Sequence, residues 1–341
     1  MDLFGKHRGA AALSALPFAI RKRLVARFLN SLTYPASELA EYAREQVPMY
    51  RDLHGLEAGP FAQLPLLTDQ HLTGHDSSWL LSRKDGASAR FTARTPSGAW
   101  CFLTPTDLLT LGASALLHPR VRELRSALDA NRAAMNLAPF GASIHGPCGE
   151  RLARYLGGRA TNVCGLSAGK TLYLLSDTRP ALAVGSLRRF ARLIQRLGAK
   201  NESARKAVLQ DLTFFVHIDP DGPVGPEVVQ EISHQWGVEV IDTFADHFAF
   251  AFFRCHCGHV HVPPHYVVEV VDEDGHSAAH SGQLVVTDRT RRAMPLVRYA
   301  TRFKARLYSS PCTFHGQTLS VEWLETREKS AADLQVPIRE A

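Results

Sequence analysis

Cys255-His256-Cys257-Gly258-His259-Val260-His261 is the densest grouping of metal-ligating side chains in the chain, and Cys312-Thr-Phe-His315 adds a second thiol and imidazole downstream. Zinc takes thiolate and imidazole ligands in a tetrahedron, and two short ligand groups on separate loops are enough to build one. The expected ligands are Cys255, His261, Cys312 and His315, with Cys257 as the substitute and with His256 and His259 pointing outward. Four protein ligands leave no open position, so such a zinc would be structural. The spacing is irregular, and a set of surface histidines with buried thiols is the competing account.

Other stretches offer weaker chemistry. Gly165-Leu-Ser167-Ala-Gly169 matches the G-x-S-x-G nucleophile elbow. That pattern has meaning only at a strand-to-helix turn with an acid and a histidine to follow, and sixteen histidines make a chance partner easy to find. Cys164 offers a thiol, although a buried structural cysteine is the commoner case. Asp219-Pro-Asp221-Gly222 lacks the remaining ligands of a calcium loop and reads as a turn. His145-Gly-Pro-Cys148 is a loop near the prospective cleft with no assigned role.

Stepping outward, 341 residues suffice for one large or two medium domains. With 45% hydrophobic and 21% charged residues the chain is a globular protein, not a disordered one. The charge of +6 is spread thinly, and its densest cluster, Arg21-Lys22-Arg23, is short, which argues against nucleic acid as a partner. No apolar run reaches the ~18–20 residues of a membrane span. Gly9–Ile20 has basic flanks but no small-residue cleavage site, so it reads as an amphipathic helix. Six cysteines without framework spacing point to a reducing, cytoplasmic setting.

The elements that must position these residues follow from periodicity and breakers. Residues 16–60 read as helical, interrupted at Val47-Pro48. Phe61–Leu67 ends at a Thr68-Asp69 cap, and Phe91–Leu103 reads as strand, loop and strand around Thr95-Pro96-Ser97-Gly98. Thr106-Asp107 caps a helix to about Leu117. From about residue 125 to 240 helix and strand alternate, with clear helices at Ser186–Leu197 and Pro226–Trp236 and clear strands at Leu212–Ile218 and Val238–Ile241. That alternation predicts an α/β domain with a buried sheet. Past residue 248 the pattern turns to strand, with Tyr266–Val271 and Gln283–Thr287 joined by an Asp272-Glu-Asp-Gly275 turn. The expected division is a helical segment over 1–60, an α/β core over 61–248, a β-rich subdomain with the zinc candidate over 249–325, and a tail over 326–341.

Six stretches in order resemble the phenylacetate–CoA ligase branch of the adenylate-forming superfamily. Val47-Pro-Met-Tyr50-Arg resembles its "VPxYR" signature, and Phe61-Ala-Gln-Leu-Pro65-Leu-Leu-Thr68 its "F..LPxxTK" segment, with Asp69 in place of lysine. Thr92–Gly98 and Phe102–Asp107 occupy the place of its phosphate loop. Val238–Ala245 resembles the strand into "YGxTE", and Val268–Gly275 the hairpin that follows. Gly282–Tyr299 resembles the late core motif and is the most specific match. Cys312–Gly316 resembles a "CxCG" knuckle of some relatives. The resemblance covers roughly residues 40–315 and implies the large N-terminal domain of that superfamily, mixed sheets flanked by helices, with ATP and a carboxylate meeting in a cleft. It also makes Gly165–Gly169 a glycine-rich loop before a helix.

The departures from the pattern shape the functional expectation. The phosphate-loop stretch reads Thr92-Ala-Arg94-Thr95-Pro96-Ser97-Gly98, with Arg94 and Ser97 where the family has glycine. Phe248 stands where the "YGxTE" glutamate belongs, and Phe303 where the "YRTGD" aspartate belongs. Phenylalanine offers neither a metal ligand nor a hydroxyl acceptor. ATP with magnesium is therefore not expected to serve as in an ordinary ligase. Two expectations remain: a cleft re-used for an acyl or aryl carboxylate or for acyl transfer to a pathway partner protein, or an inactive homologue that binds or scaffolds. Arg94, Thr95, Phe244, Asp246, Arg298 and Tyr299 are the expected cleft residues.

Overall fold

The computed structural model describes residues 18–324 apart from 56–58, 119, 122, 125–127, 129–132, 139–143, 158, 220–223, 249, 279–280, 310 and 313–318. Helices α1 (Phe18–Leu32), α2 (Ala36–Gln46) and α3 (Pro48–His54) open it. Val47 ends α2 and caps α3, because Pro48 has no N–H to continue a helix but suits a first turn. Gly9–Pro17 of the expected N-terminal helix lie outside the described residues. A one-turn helix α4 (Ser77–Leu80) precedes the hairpin of β1 (Phe91–Arg94) and β2 (Trp100–Leu103). Helix α5 (Pro105–Leu117) is capped by Thr104 rather than Thr106. Thr104 Oγ1 accepts from the Asp107 N–H at 3.0 Å, and Asp107 Oδ2 accepts from the Thr104 N–H at 2.6 Å.

The alternating part runs β3 (Ala133–Asn136), α6 (His145–Gly157), β4 (Arg159–Asn162), α7 (Ala168–Thr178), β5 (Leu182–Gly185), α8 (Leu187–Lys200), α9 (Glu202–Asp211), β6 (Phe214–His217), α10 (Pro226–Trp236), β7 (Glu239–Ala245) and β8 (Phe250–Phe253). The strands form one sheet in the order β4-β3-β5-β6-β7-β8, parallel except for β8, which turns back on β7. A sheet covered on both faces needs apolar residues on both sides of its strands, as Leu182-Ala-Val-Gly and Phe214-Phe-Val provide. Ala183, Phe215 and Val240 pack with α7 to α10 on one side. Leu182, Val184, Phe214, Val216 and Ile241 face the other side, with Cys148 and Leu152 of α6. Pro226 at the first turn and Gly237 at φ 66 bound α10 as the sequence predicts.

The remaining strands are β9 (Val260–His261), β10 (Tyr266–Val271), β11 (Ser281–Asp288), β12 (Leu296–Tyr308) and β13 (Ser320–Trp323). They form an antiparallel sheet in the order β10-β11-β12-β13-β9. Leu284, Val286 and Tyr299 from this sheet share a core with Ile241, Ala245 and Phe252 of the other. Strand β12 kinks at Arg298, whose φ is 46, next to a register shift against β11. The kink lets Leu67 run beside it, donating its N–H to Arg298 O at 3.0 Å and accepting from the Ala300 N–H at 2.8 Å. Among the described residues no helix is long and apolar enough to cross a membrane.

Candidate functional site

The metal candidates sit on a tight turn. Arg254 and Val260 pair across it, Cys255 N–H donates to His259 O at 2.8 Å, and Gly258 N–H donates to Cys255 O at 2.9 Å. Gly258 has φ 85, a left-handed geometry that glycine accepts at least cost. Arg254 fastens the turn through Asp242 at 2.9 Å and Gly258 O at 2.7 Å. This folding sets Cys255 and Cys257 side by side, with the Cys257 N–H 3.5 Å from Cys255 Sγ. His261 follows in β9, paired with Ser320, and its Nε2 is 3.4 Å from Cys257 Sγ. Cys312, beyond β12, brings its Sγ to 3.7 Å from Cys255 Sγ.

All four ligand atoms lie within 4.8 Å of one another. A tetrahedron with Zn–S bonds of ~2.3 Å and Zn–N bonds of ~2.0 Å has S–S edges of about 3.8 Å and S–N edges of about 3.5 Å. The observed 3.7 and 3.4 Å fit those edges, and the sulfurs are far beyond the ~2.05 Å of a disulfide. Burial first, and then Cys257 and Cys312 beside it, push the Cys255 thiol up to about 12. Thiols so crowded ionise together only around a compensating cation, and a divalent metal supplies that charge. The quartet is thus Cys255, Cys257, His261 and Cys312. His315 lies outside the described residues. His256 turns away to Glu123 at 2.8 Å and Arg120 at 2.7 Å, while His259 stacks on Tyr308 with centroids 5.0 Å apart.

A second cluster forms where β7 ends and β12 begins. The Tyr299 hydroxyl donates to Asp69 Oδ1 at 2.7 Å and also meets the Asp246 carboxyl. Leu67, held beside β12, is what delivers Asp69 there. Asp246 is buried and accepts from the Phe248 N–H at 3.0 Å, and its carbonyl oxygen lies 2.6 Å from His145 Nε2. Burial, then the charge of Asp69, raise Asp246 to about 6, with Arg302 pulling the other way. Burial also holds His145 down at about 3, and it raises Tyr299, helped by the two carboxylates.

Of the expected cleft residues, Asp246 and Tyr299 come together. Arg298 does not join them: it is buried, and its guanidinium donates to Leu64 O, to Gly275 O at 3.3 Å and to Glu269 at 3.3 Å. Phe244 pairs with Phe252 across β7 and β8, and its side chain lies outside the described residues. Arg94 and Thr95 close the β1–β2 turn on itself. Arg94 donates to Gly98 O at 3.2 Å, and Thr95 Oγ1 bonds Ser97 Oγ at 2.8 Å and the Ala99 N–H at 3.1 Å. Phe248 is fully buried, with its ring edge-on to Tyr299 at 5.2 Å. In the sequence Asp69 reads as part of a cap and as a departure from lysine, and His145 as a loop residue. Ser167 does sit between a strand and a helix, but with an ordinary φ of −60 and its Oγ accepting from the Lys170 N–H as a helix cap. That is a capping serine, not a strained nucleophile.

No family model matches the chain, and no curated protein matches its sequence. Solved structures do match in shape. 2-Hydroxyisobutyryl-CoA ligase in the postadenylation state, in complex with 2-HIB-AMP, superposes with a TM-score of 0.65 at 14% identity, covering 89% of this chain and 67% of that one. An open conformation of the same ligase, with 2-HIB-AMP and CoA, gives 0.65 at 16% identity, over 90% of this chain and 74% of that one. At such identities the likeness establishes fold. The expected architecture, mixed sheets flanked by helices as in the N-terminal domain of adenylate-forming ligases with a β-rich part toward the C-terminus, is the one observed.

Proposed function

We propose that this chain is a divergent relative of the phenylacetate–CoA ligase branch that keeps the fold as a binding or scaffold protein and does not carry out ordinary ATP-dependent ligation. The observation that carries this reading is the Tyr299 hydroxyl held against Asp69 and Asp246. By the sequence resemblance, these residues fall where nucleotide and acid would meet. Asp246 lies in the stretch like "YGxTE", Tyr299 opens the stretch like "YRTGD", and Asp69 replaces a lysine. A phosphate or carboxylate arriving there meets two acidic groups and a hydroxyl already donated, which repels anions where the ligase reaction needs to hold them. The β1–β2 turn supports the same reading, since its hydroxyl and guanidinium bond within the turn.

A second reading, re-use of the cleft for an acyl or aryl carboxylate or for acyl transfer to a pathway protein, draws on Arg302. This exposed cation acts on Asp246 and sits 5.3 Å over the Phe303 ring. The proposal also assigns a structural zinc to Cys255, Cys257, His261 and Cys312, in a reducing cytoplasmic setting that keeps the thiols available. Zinc bound there would cross-link the 254–261 turn to the segment after β12.

Calorimetry of the purified protein against Mg-ATP and AMP, followed by a panel of acyl and aryl carboxylates with pyrophosphate detection, tests the reading. The expected result is no nucleotide binding at millimolar concentration and no pyrophosphate. Micromolar nucleotide binding, or pyrophosphate release with any acid, would overturn it. Carboxylate binding without nucleotide would favour the second reading.

A further inference from the structure

Helix α8 is basic along its whole length. Leu187-Arg-Arg-Phe-Ala-Arg-Leu-Ile-Gln-Arg-Leu-Gly-Ala-Lys200 carries Arg188, Arg189, Arg192, Arg196 and Lys200 and no acid. Cations in the first turn oppose the helix dipole, and like charges four residues apart repel. By contrast, α2 has Glu38 in its first turn and Arg44 in its last, and α9 opens on Glu202, paired with Arg205 at 2.5 Å. Arg192, Arg196 and Lys200 stand on successive turns, are exposed, and have no acidic partner among the described residues. The opposite side of α8, Leu187, Phe190, Ala191, Leu193, Ile194 and Leu197, is buried, so the row is fixed outward. Beside it packs α7, with Lys170 and Tyr173 one turn apart on its exposed side; Tyr173 is 69% exposed. Arg189 is compensated by its bond to Leu137 O at 2.9 Å, but like charges on successive turns at Arg192, Arg196 and Lys200 have no acid to offset them among the described residues, and such a row marks a surface shaped by something outside the protein.

We propose that the outer face of α8, with Lys170 and Tyr173 of α7, docks an acidic helix of a partner protein. Charge complementarity selects the partner. A row spaced by four residues over about 12 Å matches carboxylates on successive turns of a facing helix. Tyrosine and arginine together are enriched at protein interfaces. A membrane fits less well because the apolar side of α8 is committed to the core and cannot insert. Nucleic acid fits less well because the row is two turns long with a single aromatic. This inference stands apart from the reading of the cleft.

The test uses the full chain with four probes: a labelled helical peptide bearing Glu at every fourth position, its Gln counterpart, a duplex DNA oligonucleotide, and phosphatidylserine vesicles. Binding is followed by anisotropy or co-sedimentation at low and physiological salt. The expected result is selective, salt-sensitive binding of the Glu peptide, lost at least tenfold in R192E/R196E/K200E and retained in R192K/R196K/K200R. Tyr173→Ala should weaken it severalfold. Unchanged binding by the charge-reversed variant, equal binding of the Gln peptide, DNA or vesicles bound as tightly as the Glu peptide, or no Glu-peptide binding up to millimolar would each overturn the proposal. The substituted residues are exposed, so circular dichroism of the reversed variant should match wild type. If it does not, the single variants R192E and R196E, compared with R192K and R196K, carry the comparison.

Discussion

Replacing Asp246 by asparagine should stabilise the protein, and by more as pH rises. Tyr299 has one hydroxyl proton, which Asp69 takes at 2.7 Å. That one proton cannot serve both carboxylates at once, so Tyr299 only partly compensates a charged Asp246, and its hydrogen bond lowers Asp246 by less than burial and Asp69 raise it. Burial, then Asp69, lift Asp246 to about 6 from an ordinary value of 3.8. A carboxyl that binds its proton more tightly folded than unfolded adds stability at acid pH, fully below the unfolded value, and loses it as pH climbs through the folded one. The interval corresponds to roughly 3 kcal/mol at about 1.36 kcal/mol per pH unit. Asparagine keeps an acceptor for the Phe248 N–H and offers Tyr299 an uncharged donor, so it mimics the protonated acid at every pH. Urea denaturation at about pH 4, 6 and 8 should give a difference from wild type near zero at the acid end, growing to ~2–3 kcal/mol of stabilisation at the alkaline end. Asp107, which burial also raises to about 6, is present in both proteins and cancels. A loss of about 1 kcal/mol or more at pH 8 would refute the reasoning, for it would show Asp246 to be an anion that Arg302 holds.

Two further perturbations follow from the contacts. Cys257→Ser or Cys312→Ser should lower the zinc content measured by mass spectrometry from one equivalent and cost well over about 2 kcal/mol, since metal loss ranks among the largest single-site effects; full zinc retention in Cys257→Ser would return the fourth position to another residue. Arg298→Met should cost roughly 3–5 kcal/mol in denaturant, because it strands Glu269 and two backbone acceptors without their buried cation, whereas a change in ligand binding at unaltered stability would restore Arg298 to the cleft.

The parts of the fold legible in sequence are those with local causes. Pro226 and Gly237 fence one helix, Pro48 splits another pair, and Tyr266–Val271 alternates ahead of an acidic turn ending in glycine. What could not be read is what distant residues decide. Asp69 and Tyr299 are 230 positions apart, and the pairing of Leu67 beside β12 brings them together. Arg298 is expected in the cleft because it lies beside Tyr299 in the stretch that resembles the late core motif. A left-handed residue in mid-strand turned it inward, and nothing in residue type announces that. The candidate metal quartet is nearly legible in sequence, with three of its members in the expected set and the fourth, Cys257, named as the substitute. What brings Cys257 in is the tight turn at Gly258, a contact that residue spacing alone does not give.

That quartet brackets the meander of β10, β11 and β12, with three ligands before it in the chain and one after. Strands joined by short hairpins gain their contacts cheaply and early. The Cys255–Cys312 approach joins residues 57 apart, across all three strands. A nascent chain would offer a metal only the Cys255–Cys257 pair and His261, and the fourth ligand would arrive once the meander had carried Cys312 back. Capture of the ion at full affinity would then act as a timestamp on the maturation of this half of the molecule, so that chelation during synthesis should do far more harm than chelation afterwards.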